Sequence, residues 1–247
     1  MYVLGIDVGG TGIKGGVVDV LTGKLITERK RFDTPIPSSP ENVINTILQL
    51  IKFFNWEHQI GCGFPSVIQN GIVKTASNID KNWIGLNPGL LLSKATGCKV
   101  QVLNDVDSAG YAEIKFGAGA GQAGNIIVLA AGTGIGSAIF RDQVLYPNSE
   151  LGFVKVKGKF GEHYASNAVR EEENLSWAQW GDRFSQYLIK LENLLWPDLF
   201  ILGGGVSKKF NEYENFFTCR TPIVPAQFEN NAGIIGAALA SKDYFNI

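Results

Sequence analysis

Apolar residues follow two rhythms along this chain. The run from Tyr2 to Asp7 is continuous and of strand length, and GGVVDVLTGKLITERKRF continues as two more strands around a turn at Thr22-Gly23. A helical rhythm then takes over. Ser39-Pro40 supplies an N-cap and a first-turn proline, and Val43, Ile44, Ile47, Leu50, Ile51 and Phe54 fall on one helical face. Short strands are predicted at Ile60 to Phe64 and Lys99 to Leu103, with a helix from Asn87 to Thr96 between them. A helix over about Ser108 to Phe116 and the Gly/Ala linker GAGAGQAG follow, then a second strand meander from Asn125 to Val144. Downstream, Trp177 to Leu195 reads as a long helix, Leu199 to Leu202 and Arg220 to Val224 as strands, and Asn231 to Ala240 as a closing small-residue helix.

The Gly-rich segments repeat. GGTGIKGGVVD from Gly9 and AGTGIGSAIFRD from Ala131 each follow one apolar strand and precede another, so the chain reads as two related α/β halves with a mixed sheet. The boundary is expected near Asp105, giving lobes 1-105 and 106-230, with the final helix, 231-247, packing back on the first.

At 247 residues and 45% hydrophobic, the chain is long enough for one large domain or two small ones. A net charge of -1 provides no overall field for nucleic acid or an anionic membrane, so an anionic ligand requires a local site. Cys62, Cys98 and Cys219 are odd in number and far apart, which argues against a disulfide framework or a zinc knot and for packed, reduced thiols. No apolar stretch approaches the ~20 residues of a membrane span. The start lacks the pattern of a signal peptide, so a cytoplasmic location is expected.

Gly10, Gly12 and Gly15 satisfy G-x-G-x-x-G, but a dinucleotide site needs a helix directly afterwards, and the residues that follow are strand-like. A P-loop is absent too. What remains is a Gly-rich hairpin whose backbone N–H groups can surround a phosphate, with Thr11 and Lys14 adding hydrogen bonds and charge. Asp105 follows a predicted strand beside Asn104, where open α/β sheets place their ligands.

Together, GIDVGGTGIKGG, LNDVDSAG, AAGTGIGSAI and FILGGGVS resemble, in order, the phosphate, connecting, second phosphate and adenosine segments of the actin-like sugar kinases. More narrowly the chain is similar to the ROK family (repressors, open reading frames and kinases), in particular its polyphosphate glucokinases, whose versions of NIDKNWIG, PNSELGF, WPDLFILGGGVSKK and TPIVPA it carries. The resemblance runs from Gly5 to about Ala240. It implies a two-lobed actin-like ATPase (ribonuclease H-like) fold with a cleft between the lobes, and phosphorylation of glucose at its 6-hydroxyl by polyphosphate or ATP.

Residue by residue, the resemblance makes Asp105 the catalytic base and Asp7 the holder of Mg²⁺ through water. Asn78, Asn104, Glu150 and Glu162 become sugar contacts. Gly9, Gly10, Thr11, Gly12 and Lys14, with Gly132, Thr133 and Gly134, become the two phosphate sites, and Gly203, Gly204 and Gly205 the donor turn. A homodimer is also implied.

Two departures limit the transfer. Glu150-Leu151-Gly152-Phe153 stands where many members read Glu-x-Gly-His, and VKVKGKFGEHYAS replaces their Cys-x-Cys-Gly segment, so no structural zinc is expected. His58 and His163 have no ligand-spaced partners and read as surface or packing residues. Alternation of Lys155, Lys157 and Lys159 would put all three on one side of a strand, a candidate polyanion track together with Lys208-Lys209.

The alternatives are a strictly ATP-dependent hexokinase acting on glucose, mannose or an N-acetylhexosamine, a non-catalytic sugar sensor, and a sugar-responsive repressor. The last is disfavoured because the phosphate strand begins at Tyr2, leaving no room for a DNA-binding segment. The sensor is disfavoured by two phosphate turns that sugar binding alone does not need.

Overall fold

The computed structural model describes residues 1–246. Two compact units emerge, one formed by Met1–Ala112 together with the segment from Asn231 onward, the other by Glu113–Asn230.

In the first unit, β1 (Tyr2–Val8) turns back antiparallel into β2 (Gly12–Asp19), followed by β3 (Lys24–Leu25) and β4 (Lys30–Asp33), both paired to β2. Helix α1 (Pro40–Phe54) follows. The Ser39 hydroxyl accepts the Asn42 N–H, and Asn55 closes the far end in the left-handed conformation. Its Val43, Ile47 and Leu50 are buried in one core with Val8, Ile13, Val17, Phe64 and Trp83. Next come β5 (Ile60–Phe64), a small hairpin of β6 (Ile68–Gln69) and β7 (Ile72–Val73), α2 (Pro88–Thr96), β8 (Val100–Asn104) and α3 (Asp105–Phe116). The sheet runs β3-β2-β1-β5-β8, with β1, β5 and β8 parallel. Every residue of β5 is buried, as expected of a central parallel strand covered on both faces.

The second unit repeats this plan. β9 (Asn125–Ala131) turns back into β10 (Ile135–Arg141) and β11 (Val144–Tyr146). After a hairpin of β12 (Lys155–Val156) and β13 (Lys159–Phe160) come α4 (Glu162–Ala165), α5 (Asn167–Glu172), α6 (Trp177–Leu195), β14 (Leu199–Gly203) and β15 (Ile223–Pro225). The sheet order is β11-β10-β9-β14-β15, with β9, β14 and β15 parallel. The repeated Gly-rich sequence thus marks a repeated topology: an antiparallel hairpin with parallel strands added beside its first strand. A capping box starts α6, where Ser176 and Gln179 exchange side-chain-to-backbone bonds of 3.2 and 2.9 Å. Trp180, Phe184, Tyr187, Leu188 and Leu191 form its buried face.

The chain ends in α7 (Ala232–Phe245), which packs on β1 and β5 of the first unit. A side chain at Gly5 or Gly61 would overlap the carbonyls of Ile234 and Ala237, and one at Gly236 would overlap the Ser108 carbonyl of α3. Backbone therefore meets backbone along this helix. That is why its sequence is glycine and alanine rather than an amphipathic stripe.

Four expectations need correcting. The unit boundary falls between Ala112 and Glu113, inside α3, instead of at Asp105. That helix starts at Asp105, not Ser108. α7 runs on to Phe245. The three alternating lysines do not share a face: Lys157 (φ 48°) and Gly158 (φ 83°) form a two-residue turn, so Lys155 pairs with Phe160 and Lys159 with Val156 on opposite faces of a hairpin.

Candidate active site

Three parallel strands of the first unit end together. Asp7 of β1 is level with Gly63 of β5, which is level with Leu103 of β8, and Asp105 follows just beyond. Asn104 holds the start of α3: its side-chain oxygen accepts the N–H groups of Val106 (2.8 Å) and Asp107 (3.0 Å), and its amide donates to the Ser66 carbonyl at 3.3 Å. The Ser108 hydroxyl returns to the Asn104 carbonyl at 2.8 Å. Asn104 therefore fixes the turn that presents Asp105. Burial raises the Asp105 pKa to about 7, and the negative charge of Asp7 adds to the rise, partly offset by the Val106 N–H. A carboxyl so tuned can gain and lose a proton near neutral pH.

Asp7 pairs with Lys14, Nζ lying 3.3 Å from Oδ2, and its carboxyl rests against Gly233, where a Cβ would come within 2.8 Å of Cγ. Among the described residues no three His, Cys, Asp or Glu side chains gather as a metal cluster. A lone carboxylate fits a cation such as Mg²⁺ that keeps most of its water.

Between β1 and β2 lies the turn Gly9 to Gly12. Gly9 N–H donates to the Gly12 carbonyl at 3.0 Å. The Thr34 hydroxyl takes the Gly9 carbonyl (2.6 Å) and the Arg31 guanidinium the Thr11 carbonyl (2.7 Å). The N–H groups of Gly10 and Thr11 donate to no acceptor among the described residues, which leaves them for an anion. Asn78 sits beside this turn, its Cβ 3.7 Å from where a Gly10 Cβ would be.

In the second unit, Gly132 N–H bonds the Gly134 carbonyl at 2.9 Å, while Thr133 and Gly134 keep N–H groups with no acceptor among the described residues. Gly203, Gly204 and Gly205 lie alongside. Gly204 (φ 83°) brings its backbone against Ala131, so close that a Cβ would overlap the Ala131 carbonyl, whereas Gly205 faces open space.

The carboxylate of Glu162 also reaches this turn, 2.6 Å from where a Gly134 Cβ would be. Glu150 sits on a loop pinned to β10. The buried Ser137 hydroxyl bonds the Ser149 carbonyl (2.9 Å) and accepts the Leu151 N–H (3.0 Å), and Ser149 donates back to the Ser137 carbonyl (2.9 Å). Partial burial raises the Glu150 pKa and the nearby Glu162 charge raises it further, so the two carboxylates are close enough to feel one another.

Phe153, standing where a histidine is common, packs edge-on against Phe160 at 5.5 Å, and Phe160 against His163 at 5.8 Å. An aromatic ladder thus ties the Glu150 loop to the Glu162 helix. Arg31, Thr34, Ser137 and Ser149 escaped the sequence reading because each acts through strand register, which a single sequence states only weakly.

A Gly-rich turn on each of two topologically matching sheets, with an aspartate at the carboxyl ends of the first, is the build of the actin-like sugar kinase fold. The ROK family model matches residues 3–154, and the chain belongs to that family. Polyphosphate glucokinase of Mycobacterium tuberculosis is 44% identical over 238 residues, 96% of this chain and 90% of that protein. The Mycobacterium leprae polyphosphate glucokinase is 42% identical, covering 96% of this chain and 74% of its own length. Among solved structures, the inorganic polyphosphate/ATP-glucomannokinase of Arthrobacter sp. strain KM superposes with a TM-score of 0.93 at 43% identity, over 98% of this chain and 99% of that one. A ROK family glucokinase from Streptomyces griseus shares the fold at 23% identity (TM-score 0.85, 98% of this chain and 100% of that one).

Proposed function

We propose that this chain is a glucokinase that moves a phosphoryl group from polyphosphate to the 6-hydroxyl of glucose, with Asp105 as general base. The observation that carries it is the Asp105 carboxyl, fixed at the head of a capped helix with a pKa near 7. The names of the relatives supply the sugar and the donor.

Asp105 takes the proton from the sugar hydroxyl as its oxygen attacks the terminal phosphorus. The leaving group is the polyphosphate shortened by one unit. Catalysis of this kind rests on position and charge. Lys14 and the acceptor-free N–H groups of Gly10 and Thr11 are a phosphate site of the first unit, and those of Thr133 and Gly134 a phosphate site of the second. Asp7 would hold Mg²⁺ through water, and that ion would neutralise charge on the donor. Glu150 and Glu162 accept bonds from sugar hydroxyls. Asn78 and the second amide hydrogen of Asn104 are further sugar contacts.

ATP is a second donor on this reading. The Gly203-Gly204-Gly205 turn beside the second phosphate turn, with open space at Gly205, favours it. The lysine hairpin no longer argues for a polyanion track, so the donor preference rests on the relatives. Among the described residues, no helix is long and apolar enough to cross a membrane, and Cys62, Cys98 and Cys219 are free thiols. We place the protein in the cytoplasm as a homodimer, which light scattering of the purified protein would check.

The deciding assay is glucose 6-phosphate formation with Mg²⁺ and either polyphosphate or ATP. A higher kcat/KM with polyphosphate is expected. Product from ATP alone would make the chain a strictly ATP-dependent hexokinase, and no product from glucose, mannose or N-acetylhexosamines would leave a sugar sensor.

Ser137→Ala removes the hydroxyl that holds the half-buried Leu151 N–H, leaving that donor unpaired at a cost of about 1 kcal/mol, and up to about 3 kcal/mol if water cannot reach it. The expected result is a melting temperature lowered by roughly 2–12 °C and a severalfold higher KM for glucose, with donor KM unchanged. Calorimetry and steady-state kinetics read the two effects separately.

A further inference from the structure

We propose that Arg31 and Lys14 form a two-cation subsite for the donor's phosphate chain, an inference that rests on the polyanion-donor reading above. The pairing register carries it. Asp7 is opposite Lys14 across β1 and β2, and Lys14 is opposite Arg31 across β2 and β4. Residues directly opposite on antiparallel strands share a face, so Asp7, Lys14 and Arg31 form a row across three strands.

Two cations facing one another are unfavourable in a bare sheet. Here each is balanced by its own carboxylate: Lys14 by Asp7 at 3.3 Å, Arg31 by Asp33 at 2.5 Å. Asp33 is 85% exposed, so an arriving anion can take its place at little desolvation cost.

The guanidinium also lies over the phosphate turn. It fills the space left by the missing side chain of Gly12, whose Cβ would overlap Nε, and it donates to the Thr11 carbonyl at 2.7 Å. One bond goes to Thr11 and one to Asp33, so N–H groups remain on a planar fork suited to phosphate oxygens. Its side chain is 45% exposed. The acceptor-free N–H groups of Gly10 and Thr11 belong to the same turn. A phosphate bound there meets backbone donors, the Lys14 ammonium and the Arg31 fork together.

The probe is inorganic tripolyphosphate, titrated calorimetrically without glucose, so binding is read without turnover. Arg31→Ala is expected to weaken it about tenfold to a hundredfold, with glucose KM unchanged. Arg31→Lys, which keeps the charge and loses the fork, falls between. Asp33→Asn removes the competing carboxylate and tightens binding. Tripolyphosphate affinity equal to wild type in an Arg31→Ala protein that melts normally would overturn the proposal. So would an equal rise in donor and glucose KM, which is the mark of a collapsed turn. If Arg31→Ala does not fold, Asp33→Asn decides: unchanged or weaker binding overturns the subsite. Wild-type protein that ignores tripolyphosphate yet phosphorylates glucose from ATP would refute the polyanion reading, and this subsite with it.

Discussion

Asp105→Asn is expected to lower kcat about 10²- to 10⁴-fold, the usual value of general-base help, and at the same time to make the protein more stable. The second effect follows from the first residue's environment. In the folded chain Asp105 keeps its proton up to about pH 7, whereas in the unfolded chain it releases it near its ordinary value of 3.8. Between those values the native state holds the extra proton, so stability falls as pH rises through the window from 3.8 to about 7. Above it the penalty for ionising this partly buried carboxyl is complete, of the order of a few kcal/mol. Asparagine cannot ionise and escapes it. Thermal melts at pH 5 and pH 8 should therefore diverge for wild type more than for the variant. In wild type, kcat/KM should fall tenfold per pH unit below about 7. A variant with near-normal turnover, or with no gain in stability at pH 8, would remove Asp105 from this role.

Gly236→Ala is the second large effect. A single methyl there meets the Ser108 carbonyl of α3, backbone against backbone, and neither partner can rotate away. Overpacking of this kind costs about 1–3 kcal/mol and sometimes more, or roughly 6–12 °C in melting temperature at the upper end of that range. Because Ser108 also bonds the Asn104 carbonyl beside Asp105, turnover should fall further than stability alone explains. Gly205→Ala is the control for stability, since nothing lies within 4 Å of a Cβ placed there. Equal melting temperatures for the two variants would show that α7 can be reseated.

Much of this architecture is legible in the residues. Ser39-Pro40 announces α1, and Trp177 to Leu195 matches α6 because its aromatic face is strictly helical. The paired Gly-rich segments give the topology of both sheets. Long-range pairing is where reading the chain fails. Lys155, Lys157 and Lys159 alternate as they would on a strand, yet Lys157-Gly158 takes positive φ and folds the segment into a hairpin. Nothing near Arg31 in the sequence reveals that it faces Lys14, since β4 joins β2 beyond the intervening β3. The motif singles out Asp105, but its raised pKa comes first from burial and then from the charge of Asp7, nearly a hundred residues earlier, which parallel strands bring close; neither can be read from the motif.

The last helix also has a consequence for how the molecule is made. β1 and β5 leave the ribosome early, with Gly5 and Gly61 presenting bare backbone where α7 will lie, and domains generally begin to fold in that order. The second unit is one unbroken segment and can close as soon as it is synthesised. The first cannot: its cover, including the Gly233 that rests on Asp7, is translated last. A polypeptide stopped anywhere before Asn231 therefore lacks the helix that covers β1 and β5 at Gly5 and Gly61, and the Gly233 backbone against which Asp7 rests.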